Sequence, residues 1–159
     1  MSVEPKKRIS EKALKVWKIN GMINSLITWI VLIGLGVMVY FFKWPTWIYA
    51  VEAAIGLVVT LLSIVIFPKI RWKRWRYEVR EQEIELQRGV FIIKRTLVPM
   101  VRVQHVDTEQ GPILGKFHLA TVKISTAATV HEIPAIEVSE ADELRNYIST
   151  LARVAEDDV

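Results

Sequence analysis

Two long apolar runs near the start of the sequence constrain its fold more than any other feature. Residues 22–42 contain no charged side chain over 21 residues, and residues 47–67 form a second run of equal length, interrupted only by Glu52. A helix of 21 residues extends about 31 Å, enough to cross the hydrocarbon core of a bilayer. The short link between the runs contains Pro45, which favours a turn. The sequence therefore predicts a two-helix transmembrane hairpin over residues 22–67.

The basic residues predict how this hairpin is oriented. Six lie in residues 1–21, five lie in residues 68–76, and Lys43 lies in the turn. Because basic residues stay on the cytoplasmic side, we expect a plasma-membrane protein with both termini in the cytoplasm. A cleaved signal peptide is the competing interpretation, but the first run is too long for one and no small-residue cleavage site follows it.

The remaining chain has the opposite charge. Residues 77–159 carry nine basic and fourteen acidic side chains, although the whole sequence has a net charge of +4. Nucleic-acid binding needs a basic face on the folded domain, and this composition gives no support for one. The absence of cysteine excludes disulfides, thiolate metal sites and cysteine nucleophiles.

Several side chains of the hairpin invite interpretation. Tryptophans at positions 17, 44, 47, 72 and 75 bracket the runs, where aromatic rings favour the membrane interface, whereas Trp29 is expected to face the partner helix or lipid. Glu52 is either an ion or proton site or, as we favour, a carboxylate that reaches interfacial water or pairs with Lys43. Ala50 and Ala54 form a small-residue pair that could let the helices approach closely.

The sequence after residue 76 has the two-residue period of β-strands. Strands are predicted at 75–80, 83–87, 90–98, 101–108, 119–126 and 130–133, the last ending at Pro134. An amphipathic helix follows. Its apolar stripe consists of Ala141, Leu144, Ile148, Leu151 and Ala155. The sequence thus predicts an α+β domain at 77–155, of about seven antiparallel strands and one C-terminal helix, with a short tail at 156–159.

Two stretches of this domain resemble a known family. They are Val101-Arg102-Val103-Gln104-His105-Val106-Asp107 with Gln110-Gly111-Pro112, and Gly115-Lys116-Phe117-His118-Leu119-Ala120-Thr121-Val122. They resemble the bacterial pleckstrin-homology-like membrane proteins of the YdbS type, which commonly place two transmembrane helices before the domain. One departure is a Lys and a His within 113–118, where Phe-Gly is expected before Leu119. The resemblance implies a pleckstrin-homology-like β-barrel or sandwich capped by a helix, no catalytic residues, and a possible partner that is a larger membrane protein with repeated copies of the domain.

Two groups of residues are candidate sites. The motif group comprises Gln104, His105, Asp107, Gly111 and Pro112. Its His and Asp, two residues apart on one strand face, could hold a metal or act as a base and its orienting carboxylate, but no motif supplies further ligands. We therefore favour a structural histidine that organises the loop at Gly111, and expect no metal, cofactor or catalytic residue.

The second group lies directly after the second run and is expected close to the inner leaflet. It comprises Lys69, Arg71, Lys73, Arg74 and Arg76. These residues are candidates for contacting lipid headgroups. The alternative is that they act only as a signal for membrane topology. Lys94, Arg95 and Arg102 could form a smaller basic patch on the domain.

These observations lead to one functional hypothesis and two alternatives. We expect a non-enzymatic, membrane-anchored interaction module whose domain binds a protein partner at the cytoplasmic face. Anionic-lipid recognition at the inner leaflet is the first alternative. A small component of a membrane export or stress-resistance system is the second, and it depends on Glu52 and the hairpin.

Overall fold

The chain folds as two compact units. The structure, a computed structural model, describes residues 5–157. One unit is the hairpin, Leu14–Ile70, and the other joins the chain up to Ala13 with the chain from Arg71 onward. The first four residues of the predicted N-terminal segment, and residues 158–159 of the predicted tail, lie outside the described residues.

The hairpin consists of helices long and apolar enough to span a membrane. Helix α1 runs over Ala13–Phe41, and helix α2 over Trp47–Leu61. A π-helical turn at Leu62–Ile66 joins α2 to helix α3, Phe67–Arg74. The most apolar windows of the two spans have mean hydropathies of 2.2 and 2.5. The predicted run 47–67 lies within these helices, and all of the run 22–42 except Phe42 lies within α1.

The two helices of the hairpin pack closely at Gly56 of α2 and Trp29 of α1. A side-chain carbon placed on Gly56 would lie only 2.8 Å from the indole of Trp29, so a larger residue there would clash. Of the two neighbours expected for Trp29, partner helix or lipid, the structure shows the partner helix. Ala50 and Ala54, the small-residue pair noted in the sequence, are exposed, and this contact is made by Gly56 instead.

The second unit contains two antiparallel sheets. The first has strand order β1 (Lys7–Arg8), β2 (Arg76–Val79), β3 (Glu83–Arg88) and β4 (Lys94–Pro99). The second has order β5 (Val103–Glu109), β6 (Leu119–Thr126) and β7 (Val130–Glu137). A short helix α4 (Pro112–Lys116) links β5 to β6, and helix α5 (Val138–Asp157) packs on the second sheet. The predicted architecture is thus confirmed.

The core of this unit is formed by alternate strand residues and one helix face. Ala141, Leu144 and Ile148 of the predicted apolar stripe are buried, because α5 lays that face on the sheet. Side chains at most 3% exposed include Tyr77, Ile84, Leu86, Val98, Leu119, Val122, Ile124, Ile133 and Ile136. This core fixes the surface positions on which the candidate sites depend.

The N-terminal segment supplies a strand that the sequence analysis does not anticipate. β1 pairs antiparallel with β2, the first strand after the hairpin. The backbone N–H of Ser10 donates to the carbonyl of Ala135 at 3.2 Å, in the other sheet. The carbonyl of Ser10 accepts from the indole N–H of Trp72 at 3.2 Å. The chain before the hairpin is therefore built into the domain that follows it.

Trp75 was predicted at the membrane interface, and that prediction is wrong. Its ring is 2% exposed and lies 6.4 Å from the ring of Tyr77, centroid to centroid, in the core of the domain. The position follows from the strand alternation that Trp75 shares with Tyr77, whose side chain is also buried.

Strand β7 continues past the proline at which it was predicted to end. Ile136 lies opposite Ala120, and Ile133 lies opposite Val122, so two residues of β7 face one residue of β6. This β-bulge contains Pro134, whose missing N–H is therefore not needed by the regular ladder. Ala135 adopts a φ of 54° in the bulge.

Strand β4 begins four residues later than predicted. The last pair of the β3–β4 hairpin is Arg88 with Lys94, so residues 89–93 form a loop rather than strand. Gly89 starts this loop with a φ of 136°, a conformation that only glycine adopts without strain. We call residues 89–93 the apolar loop.

Candidate functional site

The motif group lies along an open edge of the second sheet. β5 pairs with β6 on one side and, among residues 5–157, has no strand partner on the other. Gln104, His105 and Asp107 are exposed on this strand. They line a groove of about 280 Å³ whose other wall is formed by Ser149, Ala152 and Arg153 of α5. We call this the β5–α5 groove.

His105 and Asp107 lie two residues apart on β5, so their side chains share one face of the strand, as predicted. His105 is opposite Ser125 and Asp107 is opposite Lys123 of β6. Lys123 forms an ion pair with Glu109 and lies 3.6 Å from a carboxylate oxygen of Glu132. The hydrogen bond to Glu109, and then the attraction of both acids, raise the pKa of Lys123. This charged ladder crosses the second sheet from β5 to β7.

The loop after β5 is held by a different residue from the one we expected. The side-chain amide of Gln110 donates to the carbonyl of Leu119 at 3.0 Å. Pro112 begins α4, which suits proline because the first N–H groups of a helix have no partner within it. Gly111 precedes α4, and its carbonyl accepts from the N–H of Gly115 at 2.8 Å. The structure gives the side chain of His105 no hydrogen bond within residues 5–157.

No metal centre is evident in the part of the chain that the structure describes. Within residues 5–157, no group of three or more His, Cys, Asp or Glu side chains could hold an ion. The motif group can therefore supply exposed polar side chains and an open strand edge.

The basic residues after the hairpin do not share one surface. Lys69, Arg71 and Lys73 are exposed on α3. Arg74 donates from its guanidinium to the carbonyl of Val90. Arg76 lies in β2, between β1 and β3. Three of the five cations are therefore exposed on α3, whereas Arg74 contacts the apolar loop and Arg76 lies in the first sheet.

Glu52 lies in a groove on the hairpin. This groove, of about 580 Å³, is otherwise lined by apolar and aromatic residues that include Trp29, Tyr40 and Tyr49. The Tyr49 hydroxyl donates to the carbonyl of Gly36 at 3.2 Å. The structure shows no ion pair between Glu52 and Lys43, both of which it describes.

The comparison with known families agrees with this arrangement of hairpin and domain. The bacterial PH domain family, where PH stands for pleckstrin homology, matches residues 14–152. The chain belongs to the bacterial PH domain family.

Two proteins of Bacillus subtilis (strain 168) are similar to this member of the family. The UPF0699 transmembrane protein YdbS is 54% identical over 159 residues, which is 100% of each chain. The UPF0699 transmembrane protein YdbT is 28% identical over 99 residues, which is 60% of this chain and 20% of YdbT. No solved structure matches the chain. Together with the two apolar spans, these relatives identify a membrane protein.

Two structural features could not be predicted from the sequence. The pairing of β1 with β2 rests on two residues, too few for any periodic signal. The apolar loop reads as strand because Val90, Phe91 and Ile92 all favour β structure. Gly89, which precedes these residues, was the one sequence signal that the chain turns here before β4 pairs with β3.

Proposed function

We propose that this chain is a non-enzymatic interaction module that presents its PH domain at the cytoplasmic membrane face to a protein partner. The open edge of β5 carries the proposal. An edge strand exposes backbone N–H and C=O groups that can pair with an extended segment of another chain. Beside it, the β5–α5 groove offers room for side chains of that segment.

The polar side chains of the edge make it suited to a reversible contact. Gln104, His105 and Asp107 keep the edge exposed to water without an apolar patch. On the helix side, Arg153 places a positive charge beside the groove. We infer that the partner contributes an extended segment with a carboxylate placed to meet Arg153.

The cytoplasmic placement is supported by the strand pairing across the hairpin. β1 precedes both spans and β2 follows them, and the two strands are hydrogen-bonded neighbours. A chain that crosses the bilayer twice between them leaves both strands on the same side. The basic residues flanking the spans favour the cytoplasm as that side.

A longer relative gives a first candidate for the partner. The region of similarity covers 20% of YdbT, so YdbT is a much longer protein than this chain. We propose that the partner is a larger membrane protein of the same family with repeated copies of the domain.

The proposal can be tested by site-specific crosslinking in cells. A photoreactive residue at His105 is expected to crosslink one protein, which also co-purifies in mild detergent. The same residue at Glu143, exposed on α5 and absent from the groove, is the matched control. Recovery of uncrosslinked monomer from both variants under several mild conditions would contradict the proposal.

Anionic-lipid recognition is a second candidate, favoured by the exposed cations of α3. Lys69 and Lys73 follow the second apolar run directly and make no ion pair within residues 5–157. Each cation close to an anionic leaflet contributes about 1 kcal/mol. Native mass spectrometry should find fewer retained anionic lipids on Lys69→Gln/Lys73→Gln than on the exposed control Lys116→Gln. Equal lipid retention by both proteins would exclude these two lysines as the lipid site.

A further inference from the structure

The apolar loop is the least expected surface of the domain. Phe91 is 82% exposed and Ile92 is 83% exposed, more than any other large apolar side chain among residues 5–157, including those of the hairpin. Ile93 beside them is 50% exposed. Adjacent apolar side chains of this exposure are rarely left in water and mark an interaction surface.

The loop is held in a defined position. The guanidinium of Arg74 donates to the carbonyl of Val90 and lies 3.5 Å from that of Phe91. The side-chain amide of Gln87, which is 3% exposed, donates to the carbonyl of Arg74 at 3.4 Å. These contacts fasten the first half of the apolar loop, and the strand residue before it, to the last residue of α3.

This fastening ties the loop to a residue that follows the second apolar run closely in sequence. Arg74 lies seven residues beyond Phe67, the last residue of the second apolar run. Seven helical residues rise about 10 Å, whereas one headgroup layer is roughly 5–8 Å thick. Two extended residues and an aromatic side chain can cover about the same distance.

The residues that flank the loop suit the surface of an anionic leaflet. Arg88, Lys94 and Arg95 follow or precede it directly and are exposed. Residues 88–95 contain no acidic side chain. Segments that lie in the membrane interface commonly combine exposed apolar side chains with flanking basic residues, as this loop does.

We propose that the apolar loop inserts Phe91 and Ile92 into the interfacial region of the membrane that the hairpin crosses. The loop is then a third membrane contact of the chain, made by the domain itself. It fixes the domain against the leaflet and leaves the β5–α5 groove to a protein partner. This inference does not depend on the identity of that partner.

The absence of cysteine from the chain allows a direct test with single introduced cysteines. The full-length protein with Ile92→Cys carries an environment-sensitive nitrobenzoxadiazole label and is reconstituted into phosphatidylcholine–phosphatidylglycerol vesicles. Glu81→Cys is the matched control, because Glu81 is exposed and lies at the other end of β3, about 20 Å away.

We expect the label at position 92 to be quenched by acyl-chain bromolipids and protected from aqueous iodide. The label at position 81 should show the reverse. Quenching by bromolipids should persist in vesicles of phosphatidylcholine alone, because insertion of apolar side chains does not need anionic lipid.

Three outcomes would overturn the proposal. Equal quenching by iodide at both positions would show that the loop faces water. Protection from iodide without bromolipid quenching would show that another protein surface, such as a second copy of this chain, covers it. Bromolipid quenching that vanishes without phosphatidylglycerol would show an electrostatic contact only.

A second variant separates insertion from the fold. With the label at Phe91→Cys, Ile92→Asp should lose most of the bromolipid quenching, whereas Val101→Asp should retain it. Val101 is 52% exposed and apolar but lies beyond the far end of β4. Equal retention of quenching by both aspartate variants would also contradict insertion.

Discussion

Thr60 is the residue through which the two helices of the hairpin are most specifically joined. Its hydroxyl lies 2.7 Å from the hydroxyl of Ser25 and accepts from the indole N–H of Trp29 at 3.1 Å. It also donates its single proton to the carbonyl of Gly56 at 2.7 Å. Ser25 must therefore be a donor, and the Thr60 oxygen accepts two hydrogen bonds from the other helix.

Replacement of Thr60 by valine keeps the shape and removes both bonds between the helices. Hydrogen bonds between membrane helices average about 0.6 kcal/mol and reach about 1.7 kcal/mol. Two such bonds predict that Thr60→Val lowers the free energy of hairpin unfolding by about 1–3 kcal/mol. The donors of Ser25, which is buried, and Trp29, which is half-buried, would lose their acceptor, and this places the loss toward the upper end of that range.

The measurement is a titration of the full-length protein from dodecyl maltoside into sodium dodecyl sulfate. Energy transfer between labels at introduced cysteines, at Asn20 and Val65, reports separation of the two helices. Thr28→Val is the matched control, because the Thr28 hydroxyl donates only to the carbonyl of Asn24 in its own helix, at 2.9 Å. Equal unfolding midpoints for both variants would refute the assignment of Thr60 as the joining residue.

Three further predictions concern the domain and are measured by thermal unfolding in detergent. Gly89→Ala should lower the free energy of unfolding by about 2 kcal/mol, because a φ of 136° strains an L residue and the added Cβ would overlap the carbonyl of Ile92. Gly111→Ala is the control and should be nearly neutral, because its Cβ would meet no atom of residues 5–157 within 4 Å. His118→Gly should stabilise the domain by roughly 0.5–1 kcal/mol, because the exposed histidine adopts a φ of 55°; an unchanged melting temperature would argue against strain there. Partial burial, and then the charge of Arg88, lower the pKa of His131, so the unfolded chain binds its proton more readily. Stability should therefore fall as the pH drops below about 6.5, and His131→Gln should flatten this fall; an equally steep decline in that variant would contradict it.

The sequence predicts the parts of this fold that have a strong period. The two apolar runs and the stripe of α5 each extend over many residues, so single exceptions such as Glu52 do not hide them. The alternation in residues 119–126 likewise predicts β6 with the bounds that the structure gives.

Features that depend on distant pairing could not be predicted in this way. The bulge that accommodates Pro134 exists because Ser10 and β6 hold the strand on both sides of it. The apolar loop has strand-like side chains, but the register that pairs Arg88 with Lys94 leaves it outside the sheet. Of the candidate site, the exposure of His105 and Asp107 follows from alternation and polarity. Gln104 lies at a register shift between Val103 and His105, and the facing wall is supplied by α5, so both features require the tertiary fold.

The pairing of β1 with β2 makes assembly of the domain depend on the insertion of the hairpin. The first strand of the sheet is synthesised before either span, and its partner only after the second. During translation, β1 therefore stays unpaired while about 60 residues pass through the insertion machinery. A chain that inserts only one span leaves β1 and β2 on opposite sides of the bilayer. The edge of β2 that β1 would have covered is then open to pairing with other chains.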